Sequence, residues 1–343
     1  MTSSLFVAQA TVAAIQDLLF AIVAGSILCD VALAAVFTSS RDAARLRLRG
    51  SIKQTTPGTN LPRIQWLSLC GLAIAHLLYL WLQAAAMSGS TLGDALTMLG
   101  TVLSQSHYGA AWLIGATGVA LALAASHAGA QGGQSHGNRP TTAGGAAFRV
   151  SLKLAVVGLA VYAAGKAAAS HAADAGDFSI TQAVHWIHIG ATASWAGSVS
   201  IAAVVLPTFA LSTRADGGRH LAFCERLSRT SAIALMLVVL SGLYNVAWIS
   251  ANASAPLAGT HYGTWLGAKL AVAALAALLS ALNRTVWLPR LRDAQRVHAS
   301  GGNALSQRYL ATASHLRRTV VVESALLAAT LVAAATLSHM PPT

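Results

Sequence analysis

Residues 185–206 read HWIHIGATASWAGSVSIAAVVL. The run is about one bilayer's worth of apolar helix, since a span needs roughly 20 such residues. Two histidines three residues apart, His185 and His188, stand at its start. A seam of small residues follows, Gly190, Ala193, Ser194 and Gly197, with Trp195 in the middle. A segment that only crossed a membrane would not need imidazoles at its mouth.

The rest of the chain agrees with a membrane setting. Of 343 residues, 55% are hydrophobic and 9% charged, whereas a soluble domain carries roughly 25% charged residues. The net charge of +12 would point to nucleic acid in a soluble protein. Here it calls for no nucleic-acid partner, because the basic residues gather in loops. The N-terminus MTSSLFVAQA has no Lys or Arg and the first apolar run is too long for a signal peptide, so none is expected. Cys29, Cys70 and Cys224 are widely spaced and imply no disulfide framework.

The expected fold is all-α, a polytopic transmembrane helix bundle of about eight spans embedded in a lipid bilayer. The spans run over residues 11–37, 64–87, 108–126, 150–170, 181–206, 228–250, 261–282 and 319–337. Leu92, Leu96, Leu99 and Leu103 repeat at helical spacing and predict a short surface helix near 92–103. The Gly- and Ser-rich stretch 127–149 reads as a flexible linker. Residues 1–170 then form one four-span half and 171–343 the other. Every Lys or Arg outside an apolar span falls in the odd-numbered loops or at the span ends bordering them. By the positive-inside rule both termini face outside, the periplasm of a bacterium, and the protein is a multi-pass inner-membrane protein.

Sorted by this topology, His127, His136, His220, His298 and His315 fall in inner loops, as solvated side chains. His76 sits near the middle of the second span. His107, His171, His185, His188, His261 and His339 collect at outer span ends, with Met87, Met98 and Met340 on the same side. Imidazole suits several transition metals and thioether selects Cu(I), so this mixture points to copper. Each histidine taken alone also reads as an interfacial cap. His185 and His188 share a helix face and so offer two ligands to one ion. Trp195 lies on roughly the same stripe, lining the space beneath the ion or packing the core. Ionisable residues within spans are costly. Lys269 is expected to pair with Asp17, Lys166 to reach the membrane surface, and Glu323 to form a structural ion pair after Arg317 and Arg318. Cys29 and Cys70 lie at matching depth, as thiols near an inward exit or as small hydrophobes.

Four stretches carry a family resemblance: AVHWIHIGATASWAGSVSIAAVVLP (Ala183–Pro207), FCERLSRTSAIALMLVVLSGLYNVAWI (Phe223–Ile249), YGTWLGAKLAVAALAALLSALNRTVWLPRL (Tyr262–Leu291) and HLRRTVVVESALLAATLVAAATLSHMPP (His315–Pro342). In order and spacing they resemble the copper resistance D (CopD) family. The first half resembles that family only in its span pattern. The resemblance implies an inner-membrane protein of copper uptake or resistance, working beside a small periplasmic copper-binding partner of the CopC type. No such partner is expected fused to this chain, whose outer loops and termini are short. The resemblance places His185 and Trp195 on the family's signature helix, Lys269 on its AK motif, and Arg317, Arg318 and Glu323 on its last helix. Where the family shows a Gly pair after the tryptophan, this chain has Ala196 and Gly197.

The function expected is therefore inward copper transport, not enzyme catalysis. Copper, as Cu(I) or Cu(II), would be captured by His185 and His188 with help from His107, His171, His261, His339 and Met340. It would pass His76, Trp195 and Lys269 towards Cys29 and Cys70. Nothing in the sequence resembles an ATPase. Two alternatives stand beside this: a b-type haem redox protein using His76 and a second histidine, and an assembly factor that hands copper over without transporting it.

Overall fold

The computed structural model describes residues 3–39, 60–134, 142–252, 259–297 and 305–340. In a bilayer, apolar runs satisfy their backbone polar groups by coiling into helices, and these do. The chain forms α1 (Ser3–Ser39), α2 (Leu61–Ser88), α3 (Ala95–Gln105), α4 (His107–Gln134), α5 (Thr142–Ala168), α6 (Ile180–Val205), α7 (Arg214–Asn252), α8 (His261–Leu282), α9 (Leu288–Val297) and α10 (Gln307–Leu337). Eight segments are long and apolar enough to cross a membrane, with α8 and α9 together making one of them. Hydroxyl caps fix three of the starts: Ser179 accepts from the Gln182 N–H, Thr260 from Gly263 and Ser306 from Tyr309. Gly89, in the left-handed region at φ 64°, ends α2.

α1 is the hub, packed on α2, α6, α7 and α10. Its crossing with α6 is backbone on backbone. A Cβ on Gly197 would overlap the Ala21 carbonyl, and one on Gly25 would overlap the Gly197 carbonyl. The small-residue seam of α6 is thus a helix–helix contact of the kind glycine permits in membranes. α4 and α5 pair the same way, through Gly115, Gly118, Gly158 and Gly165. α8 packs on α10 and barely touches α7, its neighbour in sequence. Phe6 and His339 meet at 6.2 Å between ring centroids, so both termini lie at one end of the bundle.

The expected linker at 127–149 is helical on both flanks, and only 135–141, with His136, lies outside the described residues. Alanines interleave its glycines, and adding residues to a helix already started costs little. The basic loops are structured as well. α7 begins 14 residues before the expected span and α10 begins 12 before. Arg292 bonds Glu225 at 2.7 Å across α9 and α7. His220, expected as solvated, is 2% exposed. Its Nδ1 lies 3.0 Å from the Tyr309 hydroxyl, which donates to the Gly217 carbonyl. His127 lies 5.8 Å from Trp66 between ring centroids and His315 stacks on Trp287 at 5.1 Å; His298 lies outside the described residues. The surface helix exists as α3. Leu96 and Met98 face out, while Leu99 and Leu103 pack towards Leu80 and Trp112.

Candidate functional site

The start of α6 leans on α7. His185 Nδ1 lies 3.3 Å from the Asn245 side-chain amide, and His188 Nδ1 lies 3.0 Å from Ser241 Oγ. The two imidazoles are nearly parallel, with centroids 6.3 Å apart and an interplanar angle of 15°. Both are half-buried. Ser241 donates its own proton to the Leu237 carbonyl at 2.5 Å. Its oxygen is then available to accept from His188 Nδ1–H, the tautomer that puts the ring's lone pair on Nε2, and His188 also bonds the Val238 backbone. A histidine oriented this way through its second nitrogen is prepared to bind a metal. Gly242 makes room for the ring, since a Cβ there would lie 3.3 Å from His188 Cε1. Lys269, on α8, acts electrostatically on His188.

Below this pair, Trp195 is 2% exposed and turns its indole N–H to Ser280 Oγ at 3.2 Å and Glu323 Oε1 at 3.4 Å. Ser280 donates to the same carboxylate oxygen. Asn283 Nδ2 donates to Oε2 at 2.8 Å, and Thr319 holds Asn283 through its Oδ1 at 2.5 Å. Asn283 opens a π-helical turn, Asn283–Trp287, a feature often found at functional sites. Two helices and this turn thus converge on one buried acid of α10. The expected ion pair of Glu323 is absent among the described residues. Arg317 and Arg318 are exposed, and they lie six and five positions before it, where three or four would be needed to share its face.

The Lys269–Asp17 pair is also corrected. Asp17 pairs with Lys166, because α5 rather than α8 brings its lysine to that part of α1. Lys269 feels Asp17 only at longer range. Next to the Asp17–Lys166 pair, His339 Nε2 meets the Tyr79 hydroxyl at 2.9 Å and its Nδ1 meets the Ala335 carbonyl at 2.8 Å. Burial holds the His339 imidazole below its ordinary pKa.

The other expected residues are dispersed. His107 pairs with Asp177 at 2.8 Å on the surface. His261 is exposed at the start of α8. Met340 packs beside Tyr262, Leu266 and Leu337. The His171 side chain lies outside the described residues. His76 stacks on Trp112 at 4.7 Å with Nε2 3.2 Å from that residue's carbonyl, the Tyr162 ring meets it edge-on at 5.6 Å, and Nδ1 is buried without a partner; among the described residues no second histidine faces it for a haem. Cys29 is buried with Sγ 3.8 Å from the Ser198 carbonyl, and Cys70 is half-buried. Among the described residues, no three His, Cys, Asp or Glu are grouped to hold one metal ion. Of the outer histidines with described side chains, only His185 and His188 come together.

Ser241 and Asn245, four apart on α7, and Ser280 and Asn283, three apart across the end of α8 and the start of the π-helical turn, were missed. Polar pairs on one face of an apolar helix were the available signal. Residues 221–337 match the family model CopD, Copper resistance protein D. The chain carries a CopD-family domain. It spans most of α7 and all of α8 to α10, including Ser241, Asn245, Lys269, Ser280, Asn283 and Glu323, while α6 precedes it. The family ties this multi-pass membrane protein to copper resistance and transport. No curated protein and no solved structure matches the chain.

Proposed function

We propose that the protein carries copper inward across the inner membrane, receiving it at the end of the bundle that holds both termini. The positive-inside rule assigns that end to the outside, since the arginines gather at the other. The observation that carries this reading is the His185–His188 pair, with Ser241 at Nδ1 of His188, set at the head of a polar column through the CopD-family domain. The column continues through Trp195, Ser280, Asn283 and Glu323. It reaches a cavity of about 230 Å³ lined by Ser198, Ser231 and Cys224. Soft thiol and imidazole donors suit Cu(I). This route is preferred to the expected one past His76 and Cys29, because His76 is stacked on Trp112 with Nε2 on its carbonyl and Cys29 Sγ faces the Ser198 carbonyl. A soluble copper-binding protein of the CopC type is the partner this reading assigns to the receiving end.

The test is cellular copper at defined external copper, with wild type, a His185→Ala/His188→Ala variant and no protein compared at matched expression. Wild type should raise accumulation and the double variant should not. Equal accumulation in all three sinks the transport reading. A handover factor would instead show copper bound to the purified protein with no change in cell content.

A further inference from the structure

Glu323 is 2% exposed, and its three hydrogen-bond donors, Trp195, Ser280 and Asn283, are all neutral. No ion pair to it exists among the described residues. Ionised, it is an uncompensated charge inside a membrane bundle, which is costly; a proton removes the charge. The shell suits both states. Ser280 Oγ donates to a carboxylate and, by rotating its hydroxyl, accepts from a carboxylic acid.

Glu323 also borders the cavity of about 230 Å³, whose polar lining includes Ser198, Ser231 and Asn283 and which extends towards Arg284 at the arginine-rich end. The volume admits water, and Ser198, Ser231, Asn283 and Glu323 are the polar partners it would find in an otherwise largely apolar wall. The charged and titratable groups around it are few. Arg284 donates to the Ser228 carbonyl at 3.0 Å. α7 contributes Cys224. α1 contributes Cys29, against Ser198, and next to it Asp30. α6 presents Trp195 and Ser198, neither titratable, and the Arg317 and Arg318 of α10 are exposed.

We propose that Glu323 is a proton-exchange site of the copper pathway, protonated at rest and ionised while a copper ion passes. On release the carboxyl O–H bond breaks, the proton goes to a cavity water, and the carboxylate keeps the electron pair under its three donors. The copper-linked step rests on the transport reading above; the proton site does not.

Two measurements on the full chain separate them. In infrared difference spectra of the purified protein, the carbonyl stretch of a protonated carboxyl should be present in wild type, diminish on adding copper, and be absent from Glu323→Gln. Identical spectra for the two proteins overturn the site. In vesicles, wild-type copper entry should rise several-fold as pH is raised on the arginine-rich side, and Glu323→Gln should lose that rise. The same profile in both overturns the proposal. No copper flux in wild type overturns the transport reading and the copper-linked step with it, while the infrared band decides the proton site separately. Should Glu323→Gln fail to accumulate, Ser280→Ala keeps the carboxyl and removes one donor. The band should then vanish at higher pH, and an unmoved band overturns the site.

Discussion

The bundle has two polar interiors built to opposite rules. Between α1, α2, α4, α5 and the end of α10, most polar groups close on one another, His76 Nδ1 being the buried exception. Asp17 takes Lys166, His339 sits between Tyr79 and the Ala335 carbonyl, and Gln16 joins the Ala75 carbonyl to the Tyr162 hydroxyl. Between α6, α7, α8 and α10 the groups are oriented but left incomplete. In the tautomer that Ser241 accepts, His188 keeps Nε2 open, Lys269 has no ion pair among the described residues, and Glu323 has donors without a cation. Saturated polar groups hold helices together where lipid gives no hydrophobic drive for association. Unsaturated ones leave capacity for something that moves. On the proposed reading the first interior is structural and the second handles cargo.

The sharpest break is at the joint between the two. Gly197→Leu puts a branched side chain where the Ala21 carbonyl lies. The α1–α6 contact cannot form, and the cost should be at least about 3 kcal/mol. Membrane accumulation and thermal stability in detergent report it. A variant as stable as wild type would mean that α1 and α6 do not meet backbone to backbone.

Next comes the saturated side. Asp17 and Lys166 are 16% and 26% exposed, so removing either strands the other in the bundle. Asp17→Ala should cost about 3 kcal/mol, and Asp17→Ala with Lys166→Met should recover most of it. Additive losses would show that the pair is not coupled. On the incomplete side the pattern reverses. The His185→Ala/His188→Ala variant should lose its bound copper while its stability changes by only about 1 kcal/mol, the scale of one hydrogen bond. His76→Phe should keep its copper and lose about 1–2 kcal/mol of stability. Metal analysis beside melting curves distinguishes the two outcomes, and copper loss in His76→Phe would restore the route through the first half.

These contrasts also mark what a single sequence discloses. The spans were legible because apolar length and arginine placement are local properties. α8, His261–Leu282, was found to the residue. The helical extensions at the arginine-rich end were not, because Arg214, Arg219 and Arg226 read as loop until Tyr309 and Glu225 are seen to pack with their helices. Depth along a span was legible too, which made Asp17 a partner for some lysine. Which lysine depended on whether α5 or α8 lies against α1, and helix order is not written in any one span. Glu323 was visible as an odd acid. Its partners come from α6, α8 and the turn after α8, so its shell existed only once the bundle closed. The His185–His188 pair was legible because both ligands sit on one helix, whereas the gathering of outer histidines needed several helices to agree.

The smallest effect probes the saturated side through pH. His339 lies just past the end of α10, and burial is the main force that lowers its pKa, with Lys166 adding to it and the Ala335 carbonyl and Asp17 opposing it. The folded protein therefore binds this proton less readily than the unfolded chain, where histidine titrates near about 6.5. Above that value both states are neutral and the contact contributes in full. As pH falls below it the unfolded chain takes up the proton first, so stability declines with acidification. The ring is only partly buried and its neighbours of opposite sign offset each other, so the decline should stay below about 1 kcal/mol. His339→Gln keeps a polar group for Tyr79 and cannot titrate. Melting curves between about pH 7 and pH 5 should be flatter for this variant than for wild type. Equal slopes would mean that His339 is as open to protons in the bundle as in the unfolded chain, and the saturated interior would then not extend to the end of α10.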